Sequence, residues 1–153
     1  MSHQPPPWVR DYIRKPYKNG ARGPDAYDCY GLMAAVQRQH FGLDVSAFDG
    51  EIADRTRGRT AFLREVEGLL KHRESWVQVD RPRPGDGVLL RFGDFEAHCG
   101  VVVAVKPRPE TAPPAGWMLH VHEGVNVVCV DWNSTEWANR VVGFWRYRGQ
   151  RNG

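Results

Sequence analysis

The apolar residues change their spacing once along the chain, and that change limits the fold more than any other feature. Up to about residue 72 they recur at intervals of three and four, the repeat of a helix lying on a core. From Ser75 onward they recur at intervals of two, the repeat of strands. The first part predicts a short helix from Pro7 to Lys15, stopped by Pro16. It also predicts a helix from Cys29 to about Phe41, closed by Gly42, and another from Thr60 to Lys71 with Phe62, Val66, Leu69 and Leu70 as its stripe. The second part predicts strands over Trp76–Val79, Gly87–Phe92, His98–Val105, Trp117–His122, Val125–Asp131 and Val141–Tyr147. These are separated by turns at Arg81–Asp86, Gly93–Glu96 and Gly124, and by a proline-rich loop from Lys106 to Ala115. A short helix capped by Ser134 is expected over Asn133–Asn139. Helices first and a sheet afterwards make an α+β domain, with N-terminal helices packed on a five- to six-stranded antiparallel sheet. Residues 7–148 form that domain, flanked by tails at 1–6 and 149–153.

The element with chemical content is the helix that opens at Cys29. Asp28 is a good N-cap, because its carboxylate can accept from the unpaired N–H groups of the first turn. A thiol in that turn feels the positive end of the helix dipole, which favours the thiolate, the form that attacks carbonyls. A lone cysteine is more simply read as a small buried hydrophobe. Histidines downstream change the balance. His98 opens a central strand directly after a turn, and His120 lies on the next strand, so antiparallel pairing could bring the two rings close. Cys29 as nucleophile, His98 as base and His120 as the group that orients the base would make a complete set. Tyr17, in the turn-rich loop before the helix, is the polar aromatic placed to reach the thiol, and reads equally well as a half-buried core tyrosine. His122 shares the face of His120. Two other readings stay open at this point: zinc held by Cys29, His98, His120 and His122, and histidines filling polar niches of a half-buried sheet. Cys99 and Cys129 sit in apolar strands and read as core, Cys99 facing away from His98. His40 and His72 read as surface residues at helix ends.

Composition removes several classes. At 41% hydrophobic and 25% charged the chain is globular, and no apolar run is long enough to insert in a membrane. Three cysteines cannot all pair, so no disulfide framework is expected. The basic clusters Arg55, Arg57, Arg59 and Arg146, Arg148, Arg151 lack interleaved aromatics, which argues against a nucleic-acid partner. Residues 1–7 carry no signal-peptide core.

The order of motifs resembles one family. Pro16-Tyr17, Gly20 through Asp25, Tyr27-Asp28-Cys29-Tyr30-Gly31-Leu32, Pro84-Gly85-Asp86, His98-Cys99-Gly100 with three valines, and Met118-Leu119-His120 follow one another as in the NlpC/P60 cysteine peptidases. Arg22-Gly23-Pro24-Asp25 ahead of Asp28-Cys29 is similar to the phage and tail-associated branch. The resemblance implies a papain-like fold of permuted order. It implies cleavage of amide bonds in peptidoglycan stem peptides, with no cofactor and no metal. By position it makes Cys29 the nucleophile, His98 the acid and base, and His120 the orienting residue. It places Tyr17, with the Cys29 N–H, near the oxyanion; Asp28 and His122 are further candidates for the oxyanion or substrate side. Partners would be the stem peptide and other phage-like tail proteins, with delivery by a particle to the periplasm or cell wall. Tyr30, Met33, Asn19 and Cys99 depart from the common pattern; Cys99 stands where valine is usual. Two alternatives carry the same residues: a structural component of a tail, and a cysteine-dependent amidase or acyltransferase acting off the wall.

Overall fold

A computed structural model describes residues 3–45, 76–92 and 95–148. Its one α-helix among those residues is α1, Cys29–Phe41. Both of its ends are written locally. Asp28 is extended and accepts from the Gly31 N–H at 2.6 Å, and Gly42 closes the helix in the left-handed conformation at φ 64°.

The strands are β1 (Trp76–Val79), β2 (Gly87–Phe92), β3 (Phe95–Val105), β4 (Gly116–His122), β5 (Val125–Asp131) and β6 (Val141–Tyr147). All pairings are antiparallel, in the order β1-β6-β2-β3-β4-β5. A mixed fold of helix and antiparallel sheet is therefore observed. Strands β2 to β5 are successive neighbours, whereas β6 returns to lie between β1 and β2.

Each face of the sheet carries its own core. On one, α1 lays Leu32, Met33, Ala35 and Val36 against β3 and β4, where Cys99, Val101, Leu119 and Val121 are buried. On the other, Val88, Leu90, Val102 and Met118 pack beneath Trp132, Trp137 and Phe144. The Pro84-Gly85-Asp86 turn ties helix to sheet. Gln37, fully buried on α1, donates to the Gly85 carbonyl at 3.0 Å. Gly85 N–H donates to Val102, and Val102 N–H to Asp86. Arg146 of β6 donates to both oxygens of the Asp86 carboxylate, Nε at 3.0 Å and Nη2 at 2.9 Å, and Asp86 also accepts from the Arg83 N–H.

Three expectations change. The first helix is only a 3₁₀ segment, Pro7–Asp11. Arg14 then takes φ 74°, and residues 14 and 15 exchange backbone hydrogen bonds with Val127 of β5, so sheet pairing replaces further helical turns. The residues from Phe95, expected in a turn, already belong to β3. The segment after β5 is a run of turns ending in a 3₁₀ helix at Ala138–Arg140. The Ser134 backbone carbonyl accepts from Trp137 and Ala138 there. The helix expected at Thr60–Lys71, with His72, lies outside the described residues.

Candidate active site

The cysteine loop folds as it does because of one carboxylate. Asp28 is 4% exposed; besides Gly31 it accepts from the Gly20 N–H at 3.2 Å and pairs with Arg22 at 3.6 Å. The Asp28 N–H in turn donates to the Ala21 carbonyl at 2.9 Å. This draws the Gly20–Arg22 loop across the first turn of α1. Gly31 is required there, since a Cβ on it would stand 2.3 Å from the Ala21 oxygen. The Arg22 guanidinium also lies over the Tyr30 ring, 5.3 Å from its centroid. Sequence reasoning missed Arg22; a cation six residues before an acidic N-cap was the available signal. Asp28, a candidate for the oxyanion or substrate side, is thus engaged by Gly20 and Arg22 of the preceding loop and by Gly31 of α1.

Tyr17 lies half-buried beside this loop. It forms a parallel bridge with Tyr27, and its neighbours Pro16 and Lys18 exchange backbone hydrogen bonds with Tyr27. Two residues further on, Cys29 is the first residue of α1 and is 4% exposed. Its side chain hydrogen-bonds that of Cys99 on β3, which adjoins His98. That contact and complete burial hold the Cys99 thiol well above its usual pKa. Cys99 is core, as expected, and alternation along β3 turns it and His98 to opposite sides of the strand. Cys129, on β5, is half-buried, and burial raises its thiol to about 11.

The histidines converge. His98 and His120 are 1% and 0% exposed, and His98 Nε2 lies 3.1 Å from His120 Nδ1. Gly100 permits this. It pairs with His120 across β3 and β4, and a Cβ there would sit 2.8 Å from the Leu119 oxygen and 3.3 Å from the His120 Cβ. His122 is half-exposed and stacks parallel to His120 at 5.9 Å, with His98 5.6 Å away. Trp137 also meets the His120 ring, edge-on, with ring centres 4.3 Å apart. Sequence reasoning did not pick out Trp137, because it comes from a turn and no periodicity marks it.

Burial, aided by the neighbouring His122, drops the His120 pKa to about 3. His120 is therefore neutral at physiological pH and carries one ring proton. Protonated on Nε2, it presents Nδ1 as an acceptor to a proton on His98 Nε2. A neutral acceptor locked behind a base is what fixes a catalytic imidazole in one tautomer. Among the described residues, no three His, Cys, Asp or Glu side chains are grouped to hold a metal ion. No helix among them is long and apolar enough to cross a membrane.

The structure thus brings His98 to His120 and Cys29 to Cys99; a cysteine at a capped helix start and a hydrogen-bonded imidazole pair on adjacent strands are groups that thiol-dependent hydrolases use. Residues 14–146 match the NlpC/P60 family, and the chain belongs to it; members of that family are typically cysteine peptidases. Over 139 residues the chain is 30% identical to a protein of Listeria grayi named "Probable endopeptidase p60". The matched region takes in 90% of this chain and 21% of that protein's length.

Proposed function

We propose that this domain is a cysteine endopeptidase that cleaves amide bonds in peptidoglycan stem peptides. Cys29 is the nucleophile, His98 the general base and acid, and His120 the residue that positions His98. The observation that carries the reading is the buried His98–His120 hydrogen bond at 3.1 Å, with His120 held neutral. Because His120 occupies Nε2 of His98, Nδ1 is the nitrogen assigned to the thiol proton. The thiolate attacks the carbonyl carbon, and its oxygen gains charge that the Cys29 N–H and the Tyr17 hydroxyl stabilise; one such donor is worth roughly 3 kcal/mol in other hydrolases. Protonated His98 gives its proton to the leaving amine, then takes one from water as the thioester is hydrolysed. Through both steps His120 accepts from His98 Nε2 and itself exchanges no proton. His122, half-exposed at the end of the histidine row, is assigned to substrate contact in this reading.

The family membership and the p60 relative's name support a cell-wall substrate. A setting on a phage-like tail rests on the Arg22–Asp25 spelling alone. Digestion of purified sacculi, with mass spectrometry of the released fragments, tests the function. Wild type should release fragments cut within the stem peptide, and Cys29→Ala should release none. Equal release by both would end the reading.

A further inference from the structure

Two thiols meet where α1 crosses β3, and the peptidase chemistry uses only one of them. Cys29 and Cys99 are 4% and 3% exposed, belong to the same buried cluster, and hydrogen-bond through their side chains. We propose that Cys99 is a resolving thiol for Cys29, so that a hydroperoxide converts the pair reversibly into an intramolecular disulfide and takes the nucleophile out of use.

The two sulfurs are unequal, and that orders the steps. Cys99, held as a thiol by its contact with Cys29 and by burial, is a poor first target. Cys29, at the positive end of a helix, is the sulfur that reacts with the peroxide. Its thiolate attacks one peroxide oxygen. An S–O bond forms, the O–O bond breaks, and hydroxide or alkoxide leaves, so sulfur has lost two electrons and the peroxide gained them. The Cys99 sulfur then attacks the Cys29 sulfur; the S–S bond forms, the S–O bond breaks, and the departing hydroxide takes the Cys99 proton as water. A dithiol reductant reverses the result by exchange. Without a partner, a sulfenic acid goes on to the sulfinic acid, which ordinary reductants do not recover. Cys99 is the thiol in contact with Cys29, whereas Cys129 lies on β5, two strands from Cys99 and roughly 10 Å away at ordinary strand spacing.

The inference needs a reactive Cys29 but not peptidase activity, and the experiment keeps the two apart. The reduced full chain is treated with hydrogen peroxide, digested without reductant, and mapped by mass spectrometry, with a parallel sample trapped by dimedone. The expected result is a peptide joining Cys29 to Cys99, free thiols falling from three to one, and full return after dithiothreitol. In Cys99→Val, or Cys99→Ala if valine does not fold, the link is absent. The dimedone adduct at Cys29 accumulates there, and dithiothreitol no longer restores the thiol. Dimedone adducts equal in wild type and variant, or a link from Cys29 to Cys129, would overturn the proposal. A sacculus assay that shows no cleavage while the link still forms would remove the peptidase reading and leave this one standing.

Discussion

His120 offers the sharpest test, because the proposed role uses one atom of it. In that role Nδ1 accepts from His98 Nε2, 3.1 Å away, with both rings buried. His120→Ala leaves that buried donor without its acceptor, which costs about 1–3 kcal/mol. If the cost falls on the charged form of His98 that develops during attack, kcat drops roughly 5- to 150-fold, at about 1.4 kcal/mol per tenfold. His120→Asn should recover most of this, since the Asn amide oxygen hangs from Cγ just as Nδ1 does and can accept in the same place. His120→Gln carries its oxygen one bond further and should not. Rates of fragment release from sacculi, read beside thermal melts, separate this from simple loss of packing against Trp137. The alanine variant should also lose roughly 2–4 kcal/mol of stability from the cavity. The reasoning fails if Asn is no faster than Ala while both are folded, or if Gln outperforms Asn.

The lowered His120 pKa also links to stability. The unfolded chain takes up a proton near pH 6.5 that the native site refuses until about pH 3. This contribution is complete above pH 6.5 and fades as pH falls, at up to about 1.4 kcal/mol per pH unit; urea melts from pH 7 to 4 should show the slope, and His120→Asn should flatten it. Iodoacetamide near pH 7 should label Cys29 well ahead of Cys99 and Cys129, whose pKa values are raised. His98→Ala should slow that labelling, and an unchanged rate would remove His98 as the base. Gly31→Ala forces a methyl group against the Ala21 carbonyl and should abolish turnover with a melting loss of roughly 1–3 kcal/mol, checked by activity and calorimetry together. Asp86→Ala frees Arg146 from its two-point grip; because Arg146 is partly exposed, about 2 kcal/mol is expected, seen as a lower denaturation midpoint.

The parts of the fold that were legible in the sequence are those fixed by adjacent residues. Asp28 and Gly42 bound α1 because a cap needs only its own few neighbours. Turn residues such as Gly85 and Gly124 punctuate the strands for the same reason. What stayed hidden depends on distant pairings. Nothing near Val141 announces that β6 will lie between β1 and β2, and nothing near Arg14 announces Val127. The site divides likewise. The order of Cys29, His98 and His120 marked them as candidates, and the register of β3 with β4 brings the two rings together. Trp137, Arg22 and the meeting of Cys29 with Cys99 come from tertiary packing alone.

The place of β6 bears on biosynthesis. The ribosome makes Val141–Tyr147 after the other five described strands, yet that segment pairs with Trp76–Val79 on one edge and Gly87–Leu90 on the other. Until it emerges, β1 has no neighbour in the sheet and β2 shows a bare edge. The meander bearing the histidine pair can assemble earlier from contacts local in sequence. A stalled or clipped product ending before Val141 would therefore own the chemical groups but expose a sticky flank, and aggregation should outrun any activity it retains.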